Sequence, residues 1–270
     1  MNKYIAYGKK ISLLMQLQLR LQIRMNASGF LGILLEPFLL IAAIYAIKTF
    51  FLRSAFNTYG LSTIIFIVCG VLPFYTCTRI AFLGLTFPNK YERQLVRLPN
   101  IQEADIFISS GLNQGRISLT IFLIFLYIEH IRTELIINNV LLAITTMGLV
   151  SLIGTGFAIN LSILVRRFPP IRYPLKIFIR RVLFWTSGLF YSLNSLPLST
   201  KKFIAINPII HAAELIRHSI HEDYPVDNIS IVYLINCAIV MCSLALILSL
   251  TRKKTIYTPK NLKNSKKDVN

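Results

Sequence analysis

The chain has 270 residues, 54% of them hydrophobic and only 15% charged, and a mean hydropathy of +0.61. Soluble domains carry about 25% charged residues, so this composition argues against a water-soluble globular protein. The net charge of +18 sits between apolar runs of membrane length, which suits a topological role for the cations better than nucleic-acid binding.

Residues 1–29 form a first element with a strict alternation over residues 15–24, MQLQLRLQIR. Read alone, that period suggests a strand. On a helix the same residues gather Leu14, Leu17 and Leu21 behind Tyr7 and Ile11. A lone strand at a membrane surface leaves its backbone unpaired, so an interfacial helix with cations toward lipid phosphates is expected. Lys9 to Arg24 interrupts any continuous apolar run, so no signal peptide is expected.

A helix needs about 20 residues to cross roughly 30 Å of hydrocarbon. By that measure six spans are predicted, at 30–47, 61–83, 106–128, 139–164, 177–196 and 229–250. The first carries Glu36-Pro37, read either as a carboxylate paired with Arg20 or Arg24 near the headgroups, the preferred reading, or as a group facing a hydrated path. The second holds Gly70 and Leu72-Pro73, where a kink is expected, and Arg79, which snorkels or points into a cavity. The loop 87–105 surrounds apolar Leu95, Val96 and Leu98 with both charge signs, as a surface helix or a helix docking on a soluble partner would. In the third span Gly111-x-x-x-Gly115 allows close helix approach, while Asn113, Gln114 and Arg116 break the apolar run. Small residues through the fourth (Gly148, Ser151, Gly154, Thr155, Gly156) suit helix contacts rather than lipid.

Between the fourth and fifth spans lies 165–181, VRRFPPIRYPLKIFIRR, with six cations and no acid. A basic loop between apolar runs stays in the cytoplasm. Placing it there puts 1–29, 84–105 and 251–270 on the same side, so that both termini are cytoplasmic. The four inside segments then carry five, three, six and seven cations, against two, one and three in the outside loops. The fifth span is expected to turn back before crossing fully. After it, Asn207 can cap a helix opened by Pro208 and bearing His211, Glu214, Arg217 and His218. The preferred reading there is a solvated amphipathic helix with an internal ion pair; zinc is conceivable, but His-x-x-Glu alone is no metal motif. The tail 251–270 is basic and expected near anionic lipid. The cysteines Cys69, Cys77, Cys237 and Cys242 lack metal-ligand spacing and read as packing residues.

No G-x-x-x-x-G-K-[ST], H-E-x-x-H or G-x-S-x-G occurs in the chain. Its ionisable residues inside the spans, Glu36, Arg79 and Arg116, are far apart in sequence. Uphill transport would therefore draw its energy from another subunit.

The ordered motifs Ser28-Gly-Phe-Leu-Gly32…Leu35-Glu36-Pro37, Gly70-Val-Leu-Pro73-Phe74, Leu95…Pro99, Ser187-Gly188-Leu-Phe190-Tyr191…Leu196-Pro197 and Asn207-Pro208…His211…Glu214…Arg217 carry a resemblance over nearly the whole chain. The protein resembles the permease subunit of ABC-2 exporters, in the capsular-polysaccharide branch. One departure is Gly32-Ile33-Leu34, where the family often has an aromatic before Glu-Pro. The resemblance implies an all-α polytopic fold with an interfacial helix, about six spans and re-entrant outer gate helices, divided as 1–29, 30–250 and 251–270. It also implies a homodimer in the bacterial inner membrane with two ABC ATPase subunits, which bind ATP and magnesium; no cofactor is expected on this chain.

The implied partners are a periplasmic adaptor, an outer-membrane polysaccharide export protein, membrane lipid and a glycan substrate, with no nucleic acid. Leu95, Val96, Arg97, Leu98 and Pro99 would couple to the ATPase; Asn207, Pro208, His211, Glu214 and Arg217 would form the outer gate. Glu36, Arg79, Arg116, Phe190 and Tyr191 are candidates for the substrate path, although Phe190 and Tyr191 could equally be interface packing. Alternatives are an ABC-2 permease for O-antigen or teichoic acid, or a membrane-bound glycan-modifying enzyme using His211 and Glu214.

Overall fold

A computed structural model describes residues 3–25, 27–51, 58–88, 90–96, 98, 100–133, 138–227 and 229–250. Ten α-helices account for most of them: α1 (Lys3–Met25), α2 (Ala27–Phe51), α3 (Thr63–Thr86), α4 (Lys90–Val96), α5 (Glu103–Thr133), α6 (Val140–Arg167), α7 (Arg172–Thr186), α8 (Leu198–Ile204), α9 (Pro208–Ile220) and α10 (Ile231–Leu250). No strand occurs among the described residues, and the protein is an all-α polytopic membrane protein. Among these residues α3, α5, α6 and α10 are long and apolar enough to cross a membrane.

The alternating segment is helical, as backbone satisfaction in an apolar medium requires. Ile11, Leu14 and Gln18 of α1 are buried against α5. Its cations do not all face outward, because Lys10 pairs with Asp105 and the Tyr7 hydroxyl donates to the same carboxylate (3.0 Å). The polar residues expected to break the third span leave α5 continuous over 31 residues. Asn113 is accommodated by donating to the Met15 carbonyl (3.1 Å) and to Gln18 (3.3 Å).

α3 lies at the centre, buried along nearly its whole length and packed against α2, α5, α6, α7 and α9. Its approach to α6 depends on Gly84, where a Cβ would stand 2.2 Å from the Ala158 carbonyl oxygen. The Gly111 and Gly115 pair of α5 likewise meets Thr155 and Ser151 of α6, where added Cβ atoms would fall 2.0 and 2.4 Å from the side-chain oxygens.

The basic segment 165–181 is not a loop. α6 continues to Arg167, a short 3-10 turn spans Pro169–Ile171, and α7 starts at Arg172. With 15 residues α7 rises about 22 Å, short of the roughly 30 Å hydrocarbon layer. It ends at Thr186, where Gly188 takes a left-handed conformation (φ +69°) and the chain turns over α3 beside Gly70. The fifth predicted span is therefore a half-span with a re-entrant return.

Two ends of the bundle are distinct. At one, α1, α4, the start of α5 and the end of α6 meet, tied by Lys10–Asp105, by Arg166–Glu103 with both contacts at 2.9 Å, and by the Phe87 and Phe107 rings 4.7 Å apart. At the other, Tyr59 packs on Tyr224 with centroids 5.4 Å apart, and the Asn139 N–H donates to the Ser219 carbonyl (2.9 Å). The described parts of the cation-rich segments gather at the first end.

Candidate functional site: a polar groove beside a buried acid–arginine knot

α9 begins as its sequence dictates. Asn207 Oδ1 accepts from the Ile209 N–H (3.0 Å), and Pro208 occupies the first helical position, where its missing donor is not needed. The ion pair expected within it is present, Arg217 to Glu214 at 2.8 Å, but both side chains are 0% exposed. The expectation of a solvated helix fails because α9 is apolar around most of its circumference. Ile209, Ile210, Ala212, Ala213, Ile216 and Ile220 are all buried where it packs on α3, α6 and α10.

The buried pair joins three stretches of chain. Arg217 donates through Nη2 to the carbonyls of Gly188 (2.7 Å) and Phe66 (3.0 Å), and through Nη1 to that of Tyr191 (3.3 Å). Its guanidinium carbon lies 3.6 Å from the Phe66 ring centroid. Glu214 accepts from the Ser192 hydroxyl (3.0 Å) and the Leu193 N–H (3.1 Å). Burial pushes the neighbouring Tyr224 phenol up from its ordinary pKa. Two buried charges thus pin the re-entrant turn to α3, satisfying carbonyls that the turn leaves outside regular structure. Ser192, Phe66 and Tyr224 were not singled out from sequence, and Gly188 was named only within a motif, because nothing local marks a turn carbonyl as the acceptor of an arginine 29 residues away.

His211 is held as a neutral ring. Nε2 donates to the Ala205 carbonyl (2.8 Å), Nδ1 accepts from the Ser230 N–H (3.3 Å), and the ring lies 4.8 Å from that of Tyr233. Burial lowers its pKa, although the Ala205 contact and the Glu214 charge oppose the shift. His218 Nδ1 instead contacts the Tyr224 carbonyl (3.1 Å). Histidines at helical spacing are thus drawn to separate carbonyls, and no group of three metal-binding side chains occurs among the described residues.

Glu36 and Arg79 come together. Arg79 Nη1 donates to Glu36 Oε2 at 2.9 Å, and the Tyr75 hydroxyl donates to the same oxygen at 3.2 Å. Arg20, one of the two preferred partners, forms no such pair among the described residues, and the side chain of the other, Arg24, lies outside them; the carboxylate is engaged from α3, which packs against α2. The pair remains 53% and 39% exposed on this chain. Intramembrane charges generally face a hydrated cavity or a protein partner rather than acyl chains.

By spacing, Tyr75, Arg79, Phe82 and Thr86 form one stripe of α3, the floor of a groove with α2 on one flank and α7 on the other. Toward the re-entrant turn, rings of Phe74, Phe184, Trp185 and Phe190 pack at centroid distances of 5.3–5.7 Å. The Tyr191 hydroxyl donates to the Trp185 carbonyl. Arg116 is elsewhere, exposed on α5 with Asn113 at 3.4 Å.

At the opposite end Leu95 is 1% exposed, clustered with Ile11, Leu14, Phe87, Ile106 and Phe107. It anchors α4 and offers no docking surface, whereas Leu98 is 41% exposed and Val96 half-buried. Arg97, Pro99 and the tail 251–270 lie outside the described residues.

No protein-family model matches the chain. Two curated Escherichia coli sequences described as "Polysialic acid transport protein KpsM" are each 22% identical to it over 233 residues, covering 85% of this chain and 88% of the relative. The similarity spans most of the chain rather than one motif, and it agrees with the resemblance carried by the ordered motifs.

Proposed function

Proceeding from this similarity to a polysialic acid transport protein, we propose that the chain is the membrane-spanning permease subunit, of the ABC-2 class, of an ATP-driven exporter of lipid-linked capsular polysaccharide. One observation carries the reading: similarity extends over 88% of the length of a polysialic acid transport protein. Four apolar helices of spanning length and a chain without a phosphate-binding loop sequence support it.

In this reading the chain works as a homodimer in the inner membrane with its basic end in the cytoplasm. Two ATPase subunits engage that end through α4 and the exposed Leu98 beside it. The Glu36–Arg79 groove and the aromatic cluster above it form the wall of the path contributed by each protomer. The re-entrant turn and α9 cap the path, beyond which a periplasmic adaptor and an outer-membrane export protein receive the chain.

The test is ATP-dependent accumulation of glycan in inverted membrane vesicles containing this chain and its co-expressed ATPase. Uptake that requires both proteins is expected, together with no ATP hydrolysis by the purified chain alone. Intrinsic hydrolysis, or glycan turnover without the ATPase, refutes the division of labour.

A further inference from the structure

The segment between the re-entrant turn and α9 carries apolar side chains that no described residue covers. On α8, Ile204 is buried in a cluster with Leu193 and Ile210, so the opposite side, where Leu198, Lys202 and Phe203 fall by spacing, points away from the bundle. Leu198, Phe203 and, just beyond the helix, Ile206 are each 66–70% exposed. The next helix shows the contrast, since every isoleucine and leucine of α9 is buried. Contacts fix the depth of this segment. Successive carbonyls, those of Ala205 and Ile206, accept from His211 Nε2 (2.8 Å) and from the Tyr233 hydroxyl (2.6 Å). Tyr233 is the third residue of α10, whose 20 residues rise about 30 Å and so match the hydrocarbon layer with nothing to spare. The charge-free run around it extends only over 228–251, between Asp227 and Arg252. The first turn of α10 therefore lies at the membrane boundary, where tyrosines are enriched. Ile206 adjoins that turn, and the bundle leaves Val232, Ile235 and Ile239 of the same helix uncovered.

We infer that α8 and the turn after it form a lipid-seated foot. Leu198, Phe203 and Ile206 enter the acyl-chain boundary of the leaflet at the end opposite the basic segments, and the Lys202 ammonium reaches back to headgroup phosphates. Lipid fits better than a soluble partner because the patch lies level with the first turn of α10 and runs on into that helix's uncovered face. It fits better than a second copy because three side chains fall far short of the roughly 20–30 residues a side of a stable protein interface. The foot is tied to the re-entrant turn. Lys201 donates to Asn194 Oδ1 (2.6 Å), and Asn194 Nδ2 donates to the Pro225 carbonyl (2.9 Å). Ile204 packs with Leu193, whose N–H is held by Glu214 (3.1 Å). The bilayer thus braces from outside the turn that Arg217 and Glu214 hold from within. The foot needs only the membrane fold and is independent of the export reading.

Trp185 is the single tryptophan of the chain, so the reporter can be moved. The full-length variants Trp185→Phe/Phe203→Trp and Trp185→Phe/Leu198→Trp are reconstituted in phosphatidylcholine nanodiscs with or without bromine near the top of the acyl chains. Trp185→Phe/Glu222→Trp, in the exposed loop after α9, is the water-facing control. Emission from positions 203 and 198 is expected to be quenched by the brominated lipid. Their acrylamide quenching constants should lie roughly threefold or more below that of position 222. Acrylamide quenching as strong as at 222, with no effect of bromine, overturns the inference and marks a water-facing surface. Protection from both quenchers also overturns it, because protein then covers the patch. Both sites are exposed in the fold, and either variant alone decides the matter. Removing the foot should loosen the turn: in Leu198→Ser/Phe203→Ser/Ile206→Ser, amide exchange over residues 192–196 should quicken about tenfold in the discs. Unchanged exchange in that variant refutes the bracing role.

Discussion

Replacing Arg217 by Met removes a fully buried cation while roughly keeping the side chain's length, and the structure sets the size of the effect. Glu214 loses its 2.8 Å partner and keeps only Ser192 and Leu193 as donors, so a buried carboxylate is left under-compensated. Breaking a buried pair in this way costs about 3–5 kcal/mol. The Gly188 and Tyr191 carbonyls also lose this donor, each worth about 1–3 kcal/mol when orphaned. These effects overlap, and a net loss of about 5 kcal/mol is expected. At about 2–4 °C per kcal/mol for a chain of comparable size, the midpoint should fall by roughly 10–20 °C. The assay is thermal unfolding in detergent, followed by size-exclusion fluorescence, for Arg217→Met, Glu214→Leu and the double variant. Removing both charges together should be less damaging than the two single losses added, with a coupling of about 2–3 kcal/mol. A stable Arg217→Met protein, or single effects that add within about 0.5 kcal/mol, would refute the idea that this pair holds the turn to α3.

Other outcomes follow from packing and protonation. Gly84→Ala should destabilise by several kcal/mol, because its Cβ meets Ala158 backbone at 2.2 Å, whereas Gly148→Ala, with nothing within 4 Å, should stabilise slightly; melting of the two variants compares them. Leu95→Ala should cost about 2–5 kcal/mol by opening a cavity beneath α4. Leu98→Ala should leave melting unchanged and instead reduce co-purification of the ATPase. The neutral His211 ring ties stability to pH: its folded pKa is lowered by burial, so the unfolded chain takes up the proton first. That contribution is intact above about pH 6.5 and lost as the pH falls below it. Melting between pH 7.5 and 5.5 should therefore be less pH-dependent in His211→Asn than in the wild type.

Local signals were enough for much of this architecture. Run length and hydropathy identified the apolar helices, Asn207-Pro208 marked the start of α9, and the i,i+3 spacing of Glu214 and Arg217 announced their pair. The excess of cations in alternate segments anticipated which ends of the helices would meet, since Lys10, Glu103 and Arg166 do converge. The glycines of α5 foretold a close helix contact, though not that Ser151 and Thr155 would fill it. Each of these follows from residues within a turn or two of one another.

Tertiary structure decided the rest, because the partner of a buried charge depends on which helices pack together. Glu36 finds Arg79, 43 residues away, rather than the nearer Arg20. α9 reads as amphipathic, yet its ion pair is enclosed once α3 and the turn after α7 close over it, and becomes a structural tie to Phe66 and Gly188. Leu95 looks like a docking residue until α1 and α5 are seen to bury it. The basic segment reads as a loop by its prolines, but folding turns its second half into the flank of a groove. Hydrophobic period and charge count record how a segment partitions between lipid and water; the facing of a side chain within the bundle is set by helix-on-helix packing, to which distant residues contribute as much as near ones.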